Sequence, residues 1–115
     1  MSEPEVRPWG WFRAVAAGPG YQVKILHVEP GQRLSLQWHE HRSEHWVVVR
    51  GRATVVLGDK ALQLEIGDTV DIPVGAHHRL ENGSNEAVEV VEVQRGDYLG
   101  EDDITRIADD YDRSN

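Results

Sequence analysis

The sequence predicts one small all-β barrel. Three observations predict it: short apolar runs that alternate with polar residues, turn residues that cut those runs at close intervals, and no strand–helix–strand rhythm. The 115 residues suffice for one domain and are too few for two of ordinary size.

Residues 1–6 are polar, include Pro4 and show no periodicity, so they read as a flexible tail before a single domain over 7–115. Trp9, Trp11 and Phe12, flanked by Arg7 and Arg13, read as an aromatic anchor that pins the start of the domain; a pocket wall or a dimer contact is the alternative. Tyr21, Val23 and Ile25 alternate with Gln22, Lys24 and Leu26 before Pro30-Gly31 breaks the run, and Leu34, Leu36 and Trp38 alternate next. Trp46 to Val49 form a β-branched run closed by Gly51. Ala53 to Leu57 form another, followed by the hairpin signal Gly58-Asp59. Leu62, Leu64 and Ile66 lead to Gly67-Asp68, and Val70 and Ile72 lead to Pro73. Asn82-Gly83 is a further turn, and Val88, Val90 and Val93 mark the last clear strand before Gly96-Asp97. This is about eight strands by the turn signals. At the end, Ile104, Ile107, Ala108 and Tyr111 fall at helical spacing behind Glu101, Asp102 and Asp103, so a short C-terminal helix is expected.

Composition narrows the function. The formal net charge of −8 opposes non-specific nucleic-acid binding, which needs a basic face. A phosphorylated ligand would need a local cluster among the 12 Lys and Arg residues. No apolar run is long enough for a membrane helix, and Met-Ser-Glu-Pro-Glu lacks a signal-peptide pattern. There is no cysteine, which excludes thiolate metal sites and suits a cytoplasmic address.

Chemistry concentrates in two segments. The first is His39-Glu40-His41-Arg42-Ser43-Glu44. His39 and His41 lie two apart and share a face if both stand on a strand. Glu44 joins that face if a one-residue irregularity separates it from His41. The second segment, Gly67 to Asn82, carries His77-His78 between tight turns and would bring one histidine to the same interior. Three imidazoles and a carboxylate suit one divalent ion of Zn, Mn, Fe, Co or Ni. His27 stands alone and reads as structural.

These segments resemble the two motifs of the cupin superfamily. Gly31, His39, His41, Glu44 and Gly51 match the first; Gly67, Pro73, Gly75, His78 and Asn82 match G-x5-P-x-G-x2-H-x3-N in full. The resemblance implies a jelly-roll cupin barrel with the metal inside, held by His39, His41, Glu44 and His78. A narrower resemblance runs along Arg7-Pro8-Trp9-Gly10, Pro30 to Gln37, His41 to Trp46, Ile72-Pro73, His78 to Asn82, Glu92-Val93-Gln94 and Tyr98 to Ile104. Over these stretches the chain is similar to the type II mannose-6-phosphate isomerase domain. That domain is often the C-terminal part of a bifunctional protein with a mannose-1-phosphate guanylyltransferase. This sequence has no Gly-rich nucleotide-binding stretch, so no nucleotidyl transfer is expected.

The resemblance implies interconversion of mannose 6-phosphate and fructose 6-phosphate. Such a reaction needs a base near C1 and C2, an electrophile at their oxygens and a handle for the phosphate. Glu81, His45 and Arg79 are the candidate catalytic residues, with His77 a further imidazole; Glu44 is a poor base if it binds metal. Alternation turns His45 away from Glu44, and His77 away from His78. For the phosphate, Arg33, Arg42 and Arg79 lie nearest the motifs. Gln37 shares the His39 face and is a candidate contact for sugar hydroxyls. A non-catalytic sugar-binding or metabolite-binding cupin and an Fe(II)-dependent dioxygenase are the alternatives. A homodimer is expected.

Overall fold

The computed structural model describes residues 2–111 and 113. Eleven strands run along these residues: β1 (Glu5–Arg7), β2 (Gly10–Gly18), β3 (Tyr21–Val28), β4 (Leu36–Trp38), β5 (Arg42–Arg50), β6 (Ala53–Leu57), β7 (Lys60–Leu64), β8 (Thr69–Ile72), β9 (His78–Glu81), β10 (Val88–Gly96) and β11 (Thr105–Ala108). They form two sheets, ordered β1-β2-β3-β10-β5-β8 and β11-β4-β9-β6-β7. Strands distant in sequence lie side by side, as β3 does against β10, which gives the crossed connectivity of a jelly-roll barrel.

Register sorts the interior into levels, because opposed residues on paired strands point to the same side. At one end Val28 faces Val88, and Leu26, Val90 and Val48 stand in a row across β3, β10 and β5. With Val55 and Leu80, which oppose each other in the second sheet, they make a dry core. Each such side chain contributes roughly 1.5–3 kcal/mol relative to exposure. One level along, the row reads Lys24, Glu92, Trp46; the next reads Gln22, Gln94, Glu44. The barrel is therefore apolar at one end and polar at the other. The motif residue Gly51 has a reason at the apolar end: its φ is 77°, and a Cβ there would lie 2.4 Å from the Ala87 carbonyl oxygen. Asn82 also works away from the polar end. Its amide donates to the carbonyls of Val28 (3.0 Å) and Glu86 (2.7 Å).

The aromatic anchor is present: Trp9 and Phe12 are buried in the core, and Trp11 stacks on His27 at 4.7 Å. His27 also meets Glu89 (2.7 Å) and Glu29 (3.0 Å), which is a structural setting.

Two expectations differ from the structure. The C-terminal helix does not form; Thr105–Ala108 are strand β11, paired with β4. An isolated helix that short is unstable, while the open edge of β4 satisfies the backbone directly. Tyr111 still packs on the core, from the turn that follows β11. Within residues 1–6, Glu5 and Val6 pair with Phe12 and Trp11 of β2 rather than standing as a loose tail. Among the described residues no helix is long and apolar enough to cross a membrane.

Candidate metal centre

The inward side chains of the segment before the first motif are Ser35, Gln37 and His39, all buried. In β5 the inward set is Arg42, Glu44, Trp46 and Val48. The phase switches within the turn at residues 39–41. Asp103 holds that turn: its carboxylate accepts the amide N–H groups of Glu40 (2.8 Å) and His41 (2.9 Å). Gly96 lets β10 pass it, since a Cβ there would lie 2.1 Å from the His41 carbonyl oxygen.

His39, Glu44 and His78 meet at the polar end. One ligand atom from each lies within 4.8 Å of the others, and all three residues are buried. His39 Nδ1 contacts the Asp103 carbonyl oxygen at 2.7 Å, which turns Nε2 toward Glu44 Oε2, 3.3 Å away. His78 Nδ1 contacts the Ala76 carbonyl at 2.9 Å, and its Nε2 lies 3.6 Å from Glu44 Oε1. A backbone acceptor fixes each imidazole tautomer with Nε2 unprotonated. Burial holds both imidazoles below the ordinary histidine value, His39 at about 4, so both are neutral at pH 7. The buried His78 Nε2 has no hydrogen-bond partner among the described residues. An orphaned lone pair beside a second imidazole and a carboxylate fits a divalent cation of the Zn, Mn, Fe, Co or Ni type.

His41 is not in this group, which corrects the four-ligand expectation. It lies beyond the phase switch, with its side chain about 45% exposed, 3.6 Å from Glu40 and 3.7 Å from Asp97. Gln37, not His41, is the same-face neighbour of His39, and it stands directly opposite His78.

The other expected residues divide. Arg42 is inside: its Nε donates to Glu44 Oε2 at 2.8 Å and its Nη2 lies 3.3 Å from His39 Nε2. Gln37, Arg42 and Glu44 line one pocket beside the triad. Glu81, His45, Arg79 and Arg33 are elsewhere. Arg79 faces away from His78 and donates to the carbonyls of Leu34 (2.8 Å) and Ala108 (3.1 Å). Arg33 pairs with Asp110 (2.7 Å) and Glu81 (3.4 Å). Both arginines strap the C-terminal segment to the outside of the barrel. His45 sits on the outer face of β5, 2.5 Å from Asp71.

The sequence reading missed Glu92, Gln94, Trp46 and Lys24 as lining residues of this pocket. The signal was present: Val88, Val90, Glu92 and Gln94 share one parity, so the inward face of β10 turns from apolar to polar partway along. The Trp46 indole N–H is shared between Glu44 Oε1 and Glu92 Oε1, both at 3.1 Å, and Gln94 donates to Glu92 Oε2 at 3.0 Å. Burial, together with the neighbouring Glu44, pushes the Glu92 carboxyl up to about 8.

The sequence profile of the mannose-6-phosphate isomerase C-terminal family matches residues 2–109. The chain is 49% identical over 108 residues to the xanthan biosynthesis protein XanB of Xanthomonas campestris pv. campestris strain B100; the match covers 94% of this chain and 23% of that protein. It is 48% identical over 112 residues to mannose-1-phosphate guanylyltransferase 2 of Escherichia coli O157:H7, covering 96% of this chain and 23% of that protein. The chain thus spans about a quarter of the length of these relatives. A conserved Klebsiella pneumoniae protein with a double-stranded β-helix domain superposes with a TM-score of 0.73 at 24% identity, over 90% of this chain and 84% of that one. That likeness is one of fold.

Proposed function

Since the chain belongs to the mannose-6-phosphate isomerase C-terminal family, we propose that it interconverts mannose 6-phosphate and fructose 6-phosphate with a divalent ion held by His39, Glu44 and His78. The observation that carries this reading is the unpartnered His78 Nε2, buried beside His39 and Glu44 and next to a pocket lined with polar side chains. When bound, the ion would supply electrophilic stabilisation of negative charge on the oxygens at C1 and C2.

The chain's own groups supply the rest. Glu92 is the candidate base in place of Glu81 and His45. It lines the pocket, and its raised proton affinity suits taking a proton from carbon and returning it to the neighbouring carbon near neutral pH. Trp46 aligns the two carboxyl groups through one shared N–H. Gln37 and Gln94 offer amides to sugar hydroxyls. Arg42 holds Glu44 in place through a charge-assisted bond.

The test is nuclear magnetic resonance of mannose 6-phosphate incubated in deuterium oxide with metal-loaded protein. Fructose 6-phosphate carrying deuterium at C1 supports isomerisation through a protein base. Full turnover by folded, metal-loaded Glu92→Gln protein contradicts the role given to Glu92. No product from folded, metal-loaded protein contradicts the isomerase and favours a sugar-binding role.

A further inference from the structure

Of the arginines expected to hold the phosphate only Arg42 lines the pocket, and it is bonded to Glu44; Arg33 and Arg79 are spent on the outer C-terminal segment. A different set gathers there. Arg7, Lys24, Arg106 and Arg113 line the same pocket as Gln37, Glu44 and Glu92. They come from β1, β3, β11 and the segment beyond it, so the fold gathers them from both ends of a chain whose net charge is −8.

Their placement is specific. Lys24 is 7% exposed, points inward from β3, and its ammonium makes no hydrogen bond or ion pair among the described residues. Its nitrogen lies 4.6 Å from the centre of the Phe12 ring, and the Arg7 guanidinium lies 4.8 Å from the same centre. One aromatic ring therefore carries two cations, and Arg7 also meets Glu101 (3.4 Å) and Glu5 (3.6 Å). Arg106 stands opposite Gln37, which stands opposite His78. Two strand spacings, about 10 Å, thus separate Arg106 from His78 in the sheet. Arg106 feels Arg113 and Arg7 as neighbouring like charges and Asp109 as an opposite one. Arg113 is held bidentately by Asp109 (2.9 Å to each oxygen), so it contributes less free charge than Lys24. Glu92 stands opposite Lys24 and is its electrostatic partner, yet the pocket is lined by five basic side chains, Arg7, Lys24, Arg42, Arg106 and Arg113, against three carboxylates, Glu44, Glu92 and Glu101, and that excess of positive charge suits a doubly charged anion.

We propose that Lys24, Arg7 and Arg106, flanked by Arg113, seat the phosphate monoester of the sugar substrate. The identity of that substrate rests on the proposed isomerase reading; the anion site itself does not. The arrangement sets the sugar's direction, with its phosphate at the cationic wall and C1 and C2 at His39, Glu44 and His78. It also accounts for specificity, because a neutral hexose would leave the excess of basic side chains lining the pocket uncompensated.

Calorimetric titration of the whole chain with inorganic phosphate, mannose 6-phosphate and mannose tests this. Phosphate is expected to bind and to compete with mannose 6-phosphate, and mannose to bind at least tenfold more weakly than its phosphate ester. Lys24→Met and Arg106→Gln should each weaken phosphate and mannose 6-phosphate at least tenfold while leaving the bound-metal stoichiometry unchanged. If Lys24→Met does not fold, as judged by near-ultraviolet dichroism, Arg7→Gln on the short β1 strand reads the same loss. Absence of phosphate competition, or folded variants within twofold of the parent, overturns the proposal. Phosphate binding without sugar turnover overturns the isomerase reading and leaves the anion site standing; turnover without phosphate competition does the reverse.

Discussion

Asp103 grips the metal-site turn twice: its main-chain carbonyl meets His39 Nδ1 at 2.7 Å, while its carboxylate accepts the two amides that follow His39. One residue thereby sets the imidazole's tautomer and the backbone turn that reverses the strand phase. Burial by itself raises the Asp103 carboxyl, but the two amides outweigh it and hold the group below the usual carboxylate range. Asp103→Ala keeps the carbonyl and removes the carboxylate. It should cost about 2 kcal/mol of stability and weaken metal binding about 10- to 100-fold. Thermal melts and metal titration read the two effects separately.

The phase switch makes a sharp distinction between two histidines of one motif. His39→Ala should lose the metal, and His41→Ala should retain it with unchanged stoichiometry, because only His39 lies inside. Elemental analysis after dialysis against the metal decides the point. Equal loss from both variants would place the metal at the outer turn instead.

Glu92 should be visible in the pH dependence of metal-free protein. Its carboxyl is raised from an ordinary 4.5 to about 8 in the folded state. Unfolding therefore releases a proton between these values, and this group's effect is that stability falls as pH rises from 4.5 to 8. His39 acts with the opposite sign. Its folded value of about 4 lies below the ordinary 6.5, so the stability it contributes is lost as pH falls from 6.5 toward 4. The Glu92 effect stands apart from that of His39 between pH 6.5 and 8. Glu92→Gln should flatten the decline there in denaturant titrations, retain metal, and lower kcat by about 100-fold or more.

Arg79 and His45 should behave as structural and surface residues. Arg79→Ala removes two bonds to main-chain carbonyls and should cost about 1–3 kcal/mol while KM for mannose 6-phosphate stays within twofold. His45→Ala should leave kcat within twofold, since its partner is Asp71 on the outer face. Steady-state kinetics beside chemical denaturation separates these roles.

The barrel, and the inward placement of His39, Glu44 and His78, are legible in the sequence because period-2 alternation and turn residues are local signals. His78 and Glu44 fall where the motif spacing puts them. His41 was misassigned because alternation was carried through a turn that a residue 62 positions away reshapes. The same limit hid the cationic wall: Lys24, Arg7 and Arg106 are unremarkable singly, and only the pairing of β11 with β4 and of β1 with β2 gathers them. The helical stripe at Ile104–Tyr111 lost to an available sheet edge, which is a tertiary effect no local period reports.

The most direct measurement is turnover of mannose 6-phosphate to fructose 6-phosphate by metal-stripped protein, with single divalent ions restored in turn and His78→Ala run alongside. The account predicts no turnover without metal, recovery with at least one ion in the parent, and none in the variant. Metal-independent turnover, or an active His78→Ala protein, would contradict the assignment of the buried His39, Glu44 and His78 triad as the metal centre of an isomerase.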